Sequence, residues 1–308
     1  MSETLILHHY DASPYAEKIR LMLGAKGLRW QSVLSPPQPP RPYIDPLSGG
    51  YRRIPVGQIG ADIFCDTFVI AQEVARLADA PELDPERASG DAADILARAE
   101  GDVFFAAIGS VSPVTLLGTL LRTVGPVGLV RFALDRARMM QTATVKPAQG
   151  ESARAILRAY LEDLEERLAG REFVTGETPT IADFGAFHPL WLHVSTGRRP
   201  LDARYVHVVR WYERMEALGH GTREEIDPEQ AFEAARAGKP RPLPAAEGDA
   251  DARIGRRVSV APSDYGTVPV TGFLAAATPS RYIVARETDR FGTLHVHFPQ
   301  RGFSLTEV

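Results

Sequence analysis

The spacing of apolar positions changes twice along the chain. Residues 4–9 (TLILHH) form a short, nearly continuous apolar run, as a buried strand does. Asp11-Ala12-Ser13-Pro14 follows as a turn that also opens a helix, since proline at the first helical position gives up an N–H that has no intrahelical partner. Ile19, Met22 and Leu23 then recur at helical spacing, and Gly27 ends the helix. Trp30 to Leu34 predicts a second strand. A Pro-rich connector, Ser35 to Pro42, separates it from a hairpin, Ile54 to Ile59 and Asp62 to Cys65, turned at Gly60-Ala61. Residues 67–78 return to the helical period, with Val69, Ile70, Val74 and Leu77 inward.

From Asp84 to about Lys239 no strand stands out. Leu157, Leu161, Leu164 and Leu168 mark an amphipathic helix. Thr180-Ile181-Ala182-Asp183 opens another, and Val208, Val209, Tyr212 and Met215 line a third, so a helical bundle is expected. Between Asp102 and Arg122 the chain is uncharged, close to the roughly 20 residues of a membrane span. Gly109, Pro113, Gly118 and several hydroxyls interrupt it, which favours a helix or helix pair buried in the bundle. Residues 239–251 (KPRPLPAAEGDAD) have linker composition. Beyond them the period becomes two. Arg256 to Ala261, Val268 to Ala277, Arg281 to Arg286, Leu294 to Phe298 and Phe303 to Val308 predict five short strands of a small barrel or rolled sheet.

The expected fold is therefore α+β and multidomain. A thioredoxin-like domain occupies residues 1–80, given the order β-α-β then β-β-α. An all-α bundle occupies 84–238, a linker 239–251, and a small all-β, barrel-like domain 252–308. A chain of 308 residues exceeds what one core usually holds, in keeping with that division. The net charge of −4 gives no support to a nucleic-acid partner or an anionic membrane surface. One cysteine, Cys65, rules out an intramolecular disulfide and leaves little for a Cys-built metal site. The N-terminal MSETLILHHYD has no basic region ahead of its apolar run, so a cytoplasmic location is expected.

Three patches carry a resemblance. The run from His9 to Arg20, with Ser13-Pro14-Tyr15 and Lys18-Ile19-Arg20, resembles the start of the first helix in the glutathione transferase family. Arg53-Ile54-Pro55-Val56, followed by Asp66-Thr67 and Ile70, is similar to that family's third strand and the helix after its hairpin. Thr180-Ile181-Ala182-Asp183 looks like the family's helical-domain motif. The resemblance covers residues 4–220; the last sixty residues or so match nothing in it.

What the resemblance implies is a glutathione-dependent transferase acting on an apolar electrophile, with glutathione as co-substrate, no metal, and a homodimer. A helix N-terminus offers free N–H groups and partial positive charge. Ser13 there would donate to the substrate sulfur and favour its thiolate, the nucleophile of conjugation; capping the helix is its simpler role. Pro55 would be cis and would present Val56 to the tripeptide backbone; an ordinary strand-initiating proline is the alternative. Asp66 would pair the ligand's ammonium, and Thr67 with the helix N-terminus would take its carboxylate. Arg53 would meet the glycyl carboxylate or stand solvated. Thr180 and Asp183 fit a capping box and are structural. Apolar helices between about residues 102 and 140 would line the electrophile's cleft.

The sequence also departs from the family. His9, with Tyr10 next to it, stands where tyrosine-type members carry their activating residue; Tyr10 is a candidate to assist. Gly49-Gly50-Tyr51-Arg52 is unlike the family's usual approach to the third strand, which leaves the glycyl end open. Cys65 reads as a small buried residue. His295 and His297 share a strand face but lack a third ligand. The rival reading is a binding or scaffold protein that keeps the fold without the activity, its C-terminal β domain serving a protein partner.

Overall fold

The computed structural model describes residues 3–141, 143–244 and 251–308. The first eighty residues fold in the predicted order: β1 (Ile6–His9), α1 (Pro14–Ala25), β2 (Arg29–Leu34), a one-turn α2 (Asp45–Ser48), β3 (Val56–Ile59), β4 (Asp62–Cys65) and α3 (Thr67–Leu77). β1 runs parallel to β2 and antiparallel to β3, and β3 pairs antiparallel with β4. The two faces of this sheet follow from the period of two. Leu5 and Leu7 point to α1 and α3, where Ile19, Met22, Val69, Ile70 and Val74 are buried with them. Ile6 and Val33 point to the opposite face.

The helical domain comprises α4 (Gly90–Glu100), α5 (Asp102–Gly109), α6 (Pro113–Gln141), α7 (Gly150–Arg167), α8 (Ile181–Gly197) and α9 (Val206–Ala217). α6 breaks direction at Gly125, just before Pro126. Across residues 102–122, α5 and the start of α6 meet at 89°; among the described residues no single helix is long and apolar enough to cross a membrane. α8 is apolar almost all round and packs on α1, α4 and α5. It opens with the predicted capping box: Asp183 Oδ2 accepts from Thr180 N (2.9 Å), while its Oδ1 accepts from Val174 N and Trp211 Nε1. Pro189 lies inside this helix and lacks the N–H that Gly185 C=O would ordinarily receive. His188 Nδ1 donates to that carbonyl instead, at 2.8 Å. The tautomer is thereby fixed, leaving Nε2 a buried acceptor with no protein partner among the described residues.

Two features were not predicted. Residues Thr222–Glu225 form β5, which pairs parallel with β2, so the segment expected to be helical throughout returns to the first domain's sheet. Its sequence, TREE, has no apolar alternation because neither of its faces is buried. α10 (Pro228–Ala237) follows, and Ala231 and Ala234 cover Ile6 and Val33 on the sheet's second face.

The five C-terminal strands are present: β6 (Arg257–Pro262), β7 (Val270–Ala277), β8 (Arg281–Thr288), β9 (Gly292–Pro299) and β10 (Phe303–Glu307). They form an antiparallel meander, with β10 returning to pair with β6. Four residue steps from Pro299 to Phe303 reach at most ~14 Å. In a flat sheet β9 and β10 would stand four strand spacings, roughly 19 Å, apart. The unit must therefore roll up. It is not set apart, however. β9 pairs parallel with β4 (Ile63 opposite Val296), making one ten-stranded sheet among the described residues. Its core is shared: Tyr51, Val56, Ile63 and Cys65 are buried together with Val260, Leu274, Val284 and Phe298.

An ionic cluster reinforces the seam. Glu73 of α3 accepts from Arg241 and Arg281, both at 2.9 Å, and Asp62 accepts from His297 Nε2 at 2.8 Å. Arg241 N also donates to Asp62 (2.9 Å), so the start of the expected linker is anchored. Its residues 245–250 lie outside the described ones.

Candidate functional site

The turn between β1 and α1 is fastened from behind. Arg20 donates to Glu17 (2.9 Å, from Nε) and to Asp11 C=O (2.8 Å), and its Nη1 lies 3.1 Å from His9 Nδ1. Burial, then Arg20 and Arg223, lowers the His9 pKa to about 3, so His9 is neutral. Lys18, fully buried, reaches Glu100 at the end of α4 (2.5 Å) and so ties the two domains together. The Lys-Ile-Arg part of the first motif is thus structural. Ser13 caps α1: its Oγ accepts from Ala16 N (3.2 Å), and the residue is 1% exposed.

A cavity of about 290 Å³ opens between α1, the start of β3, the N-terminus of α3, α4, and two loops of the C-terminal β unit. That is near the lower end for small-molecule sites. Ile54-Pro55, joined by a cis peptide bond, and Thr67 line it. Asp66 lines it too, held at φ 103°, a left-handed region that is costly for a residue with a Cβ. Asp66 Oδ1 caps α3 by accepting from Phe68 N (2.9 Å), and Tyr51 Oη donates to Oδ2 (3.5 Å). Burial raises the Asp66 pKa, against the opposing pull of Arg53 and the Phe68 N–H. The α3 N-terminus, its dipole and Thr67 together suit an anionic ligand group beside an acid.

The opposite wall belongs to the C-terminal unit. Arg53 pairs with Asp264, donates to Tyr265 C=O (2.8 Å) and lies over the Tyr265 ring (4.1 Å to its centroid). Asp66 is a further 3.9 Å neighbour of Arg53. Burial alone would lower the Arg53 pKa; Tyr265, Tyr51, Asp66 and Asp264 outweigh it and hold the guanidinium charged. The loop carrying Asp264 and Tyr265 is also braced by the helical domain. Thr144 N donates to Asp264 C=O (2.7 Å), and Phe105 meets the Tyr265 ring edge-on. Tyr15 lines the cavity from α1; burial, with Tyr265 and Glu100 nearby, keeps its phenol well above the ordinary range and therefore protonated.

The structure thus brings Arg53, Ile54, Pro55, Asp66 and Thr67 to one cavity, and leaves Ser13, Tyr10 and Val56 out of its lining. Val56 is buried between its ladder partners His8 and Cys65. α4, through Leu96, Ala97 and Glu100, forms the helical wall in place of the expected helices of 102–140. Cys65 is buried, and burial raises its thiol pKa. His297 is bonded to Asp62, and no cluster of three or more His, Cys, Asp or Glu suited to a metal occurs among the described residues. Sequence reasoning missed Tyr15, Glu100, Tyr265, Arg301 and Phe303 in the lining. Tyr15 stands inside the first motif and was within reach; the others come from segments with no local sign of a site.

Residues 7–82 match the glutathione S-transferase N-terminal domain family, and residues 133–214 match the glutathione S-transferase C-terminal domain family. A GST-like protein from Pseudomonas syringae, of known crystal structure, is similar over 100% of both chains at 32% identity, with a TM-score of 0.78. The chain belongs to the glutathione S-transferase family. Because the Pseudomonas relative is covered in full, the similarity runs through the C-terminal β unit of this transferase-family chain as well. A glutathione S-transferase from Rhodospirillum rubrum F11 is similar over 70% of this chain and 88% of its own, at 17% identity and a TM-score of 0.49. One from Methylobacillus flagellatus, with glutathione bound, covers 70% and 99% at 19% identity and 0.44. No curated protein matches the chain.

Proposed function

We propose that this protein binds reduced glutathione in the cavity and directs its thiolate at an apolar electrophile. One observation carries the reading: the cis Ile54-Pro55 bond, Asp66 and Thr67 at the mouth of α3, and Tyr15 line a single cavity. In this reading Asp66 pairs the ligand's ammonium, and Thr67 with the free N–H groups of α3 takes the adjacent carboxylate. The backbone beside Pro55 pairs with the middle of the peptide. Tyr15, whose hydroxyl is bonded to Tyr265, exchanges that partner for the sulfur, stabilising the thiolate once the thiol proton has left to solvent. The sulfur lone pair then forms the S–C bond, and the electrophile's leaving group departs with its bonding electrons. Leu96, Ala97 and Phe303 provide apolar surface for the electrophile.

Ser13, Tyr10 and Val56 have supporting parts in this proposal: Ser13 sets the start of α1, Tyr10 holds the turn, and Val56 fixes the strand behind Pro55. A homodimer and a cytoplasmic location belong to the same proposal; light scattering and cell fractionation test them. A scaffold reading, with a protein partner for the β unit, draws on the engagement of Arg53 by Asp264. Calorimetry with reduced glutathione separates the two readings. Binding that Asp66→Ala abolishes supports the transferase; a folded wild-type protein that takes up no glutathione supports the scaffold.

A further inference from the structure

Away from the cavity, the outer face of α6 presents apolar side chains to solvent. Its two arms, joined at the non-helical Gly125, each carry large apolar residues at i, i+3 and i+7: Val114, Leu117 and Leu121, then Val127, Val130 and Leu134. All six are between 44% and 81% exposed. In an unbroken helix Val127 would point about 120° away from Leu121. The break at Gly125 lets both stripes reach solvent. Exposed apolar side chains in such a series mark a surface that something covers.

The charge on this face has one sign. Arg122, Arg131 and Arg138 are exposed beside the stripes and have no ion-pair partner among the described residues. The one acid of α6, Asp135, is turned the other way and pairs with Arg52. Arg136, next to it, donates to Pro37 C=O (3.5 Å). In the first arm, Thr119 Oγ1 donates to Thr196 C=O of α8 (3.2 Å). The helix is thus fastened by its inner side, and the outer side is left free. α7, another outer helix of the same domain, differs: it exposes Glu151, Arg154, Arg158 and Glu162, both signs on one surface. The net charge of −4 on the whole chain therefore conceals a local excess of positive charge along α6.

We infer that the outer face of α6 seats the protein on an anionic lipid surface, with Val127, Val130 and Leu134 among the acyl chains and Arg131 and Arg138 at the lipid phosphates. Charge selects this occupant. A second copy placed by a two-fold axis would bring the same arginines together, with no free acid on either helix to meet them. An anionic bilayer offers apolar depth and negative charge at once, and arginine reaches the headgroups while its stem stays among apolar atoms. The second arm, residues 126–141, is about 24 Å long, shorter than the hydrocarbon core, and so lies along the surface rather than across it. The inference stands apart from the thiol-peptide reading.

The test is flotation of the full chain with vesicles of phosphatidylcholine alone and of phosphatidylcholine mixed with phosphatidylglycerol. The wild-type protein should float with the mixed vesicles and far less with the neutral ones, and added salt should release it. Arg131→Gln and Arg138→Gln should each weaken binding about fivefold. Val130→Asp should abolish it. All three positions are exposed, so the melting temperatures should stay at the wild-type value. If the wild-type protein floats with neither kind of vesicle, the inference falls. It falls equally if binding survives both arginine changes together, because the anionic contact then lies elsewhere. A dimer in light scattering that Val130→Asp dissociates would also overturn it, since a second copy would then cover the face.

Discussion

Arg53 and Tyr265 stand 212 positions apart in the chain, yet the guanidinium carbon lies 4.1 Å from the centre of the phenol ring and Nη2 donates to the same residue's carbonyl at 2.8 Å. One residue belongs to the thioredoxin-like domain and the other to the C-terminal β unit. The contact makes the site a property of both.

Tyr265→Ala is expected to release Arg53 from its stack and widen the cavity. A partly buried cation–π contact is worth roughly 0.5–2 kcal/mol, so a modest drop in melting temperature should accompany the change. Glutathione affinity should shift as well, because Arg53 would then be free to reorient toward Asp66. A calorimetric titration with unchanged affinity would show that this wall does not touch the ligand.

Tyr15→Phe and Ser13→Ala should separate activation from capping. In Tyr15→Phe the pH midpoint of conjugation should rise toward ~8.5, the ordinary thiol value, because the sulfur loses its donor. Ser13→Ala should leave that midpoint in place and cost about 1 kcal/mol of stability through loss of the α1 cap. The reverse pattern, a midpoint moved only by Ser13→Ala, would return the activating role to the serine.

Glu73→Gln tests the seam. Burial alone would raise the Glu73 carboxyl, but Arg241 and Arg281 outweigh that and hold its pKa at about 2, below the ordinary 4.5. A carboxyl depressed on folding stabilises the protein fully above 4.5, and that stabilisation is lost as pH falls from 4.5 through about 2. Glu73→Gln should therefore lose on the order of 3 kcal/mol at neutral pH, where it leaves two half-buried cations short of an acid. Chemical denaturation of variant and wild type should converge as the pH drops to 2.

His188→Phe probes the repair of α8. The ring nitrogen that serves Gly185 C=O would be gone, and an unpaired buried carbonyl costs roughly 1–3 kcal/mol. Burial, with Lys18 nearby, lowers the His188 pKa to about 3 from the usual 6.5. A histidine buried neutral stabilises fully above 6.5 and loses that contribution as pH falls toward 3. The variant should be less stable at pH 7 and show a shallower loss of stability between pH 6.5 and 3. Equal denaturation midpoints at pH 7 would argue that the carbonyl finds another donor.

The thioredoxin-like order was legible because each element there buries one face, so its period survives in the sequence. The helical domain was legible for the same reason at Leu157 to Leu168. β5 was not, since Thr-Arg-Glu-Glu lies on an outer strand held by backbone pairing and by the Arg223–Asp11 ion pair rather than by a buried apolar face. Half of the site was readable at Arg53 to Pro55 and at Asp66-Thr67, where cap chemistry and turn position leave local marks. The remainder, Tyr265 and Arg301, becomes part of a site only through the β4–β9 pairing, and no spacing within residues 252–308 encodes which strand they will meet.

That pairing has a consequence for what the molecule leaves unprotected. Without β9, β4 would end the sheet as Asp-Ile-Phe-Cys, four buried residues with a free row of amides and carbonyls, an invitation to intermolecular pairing. The β unit moves that boundary outward to β10, while β5, which carries Arg223, Glu224 and Glu225, forms the opposite edge beside β2. Charged side chains on a short outer strand discourage strand addition by another chain. Removing residues 252–308 would therefore open an aggregation-prone border as well as one wall of the cavity, and a truncated chain would be expected to self-associate before its ligand binding could be compared.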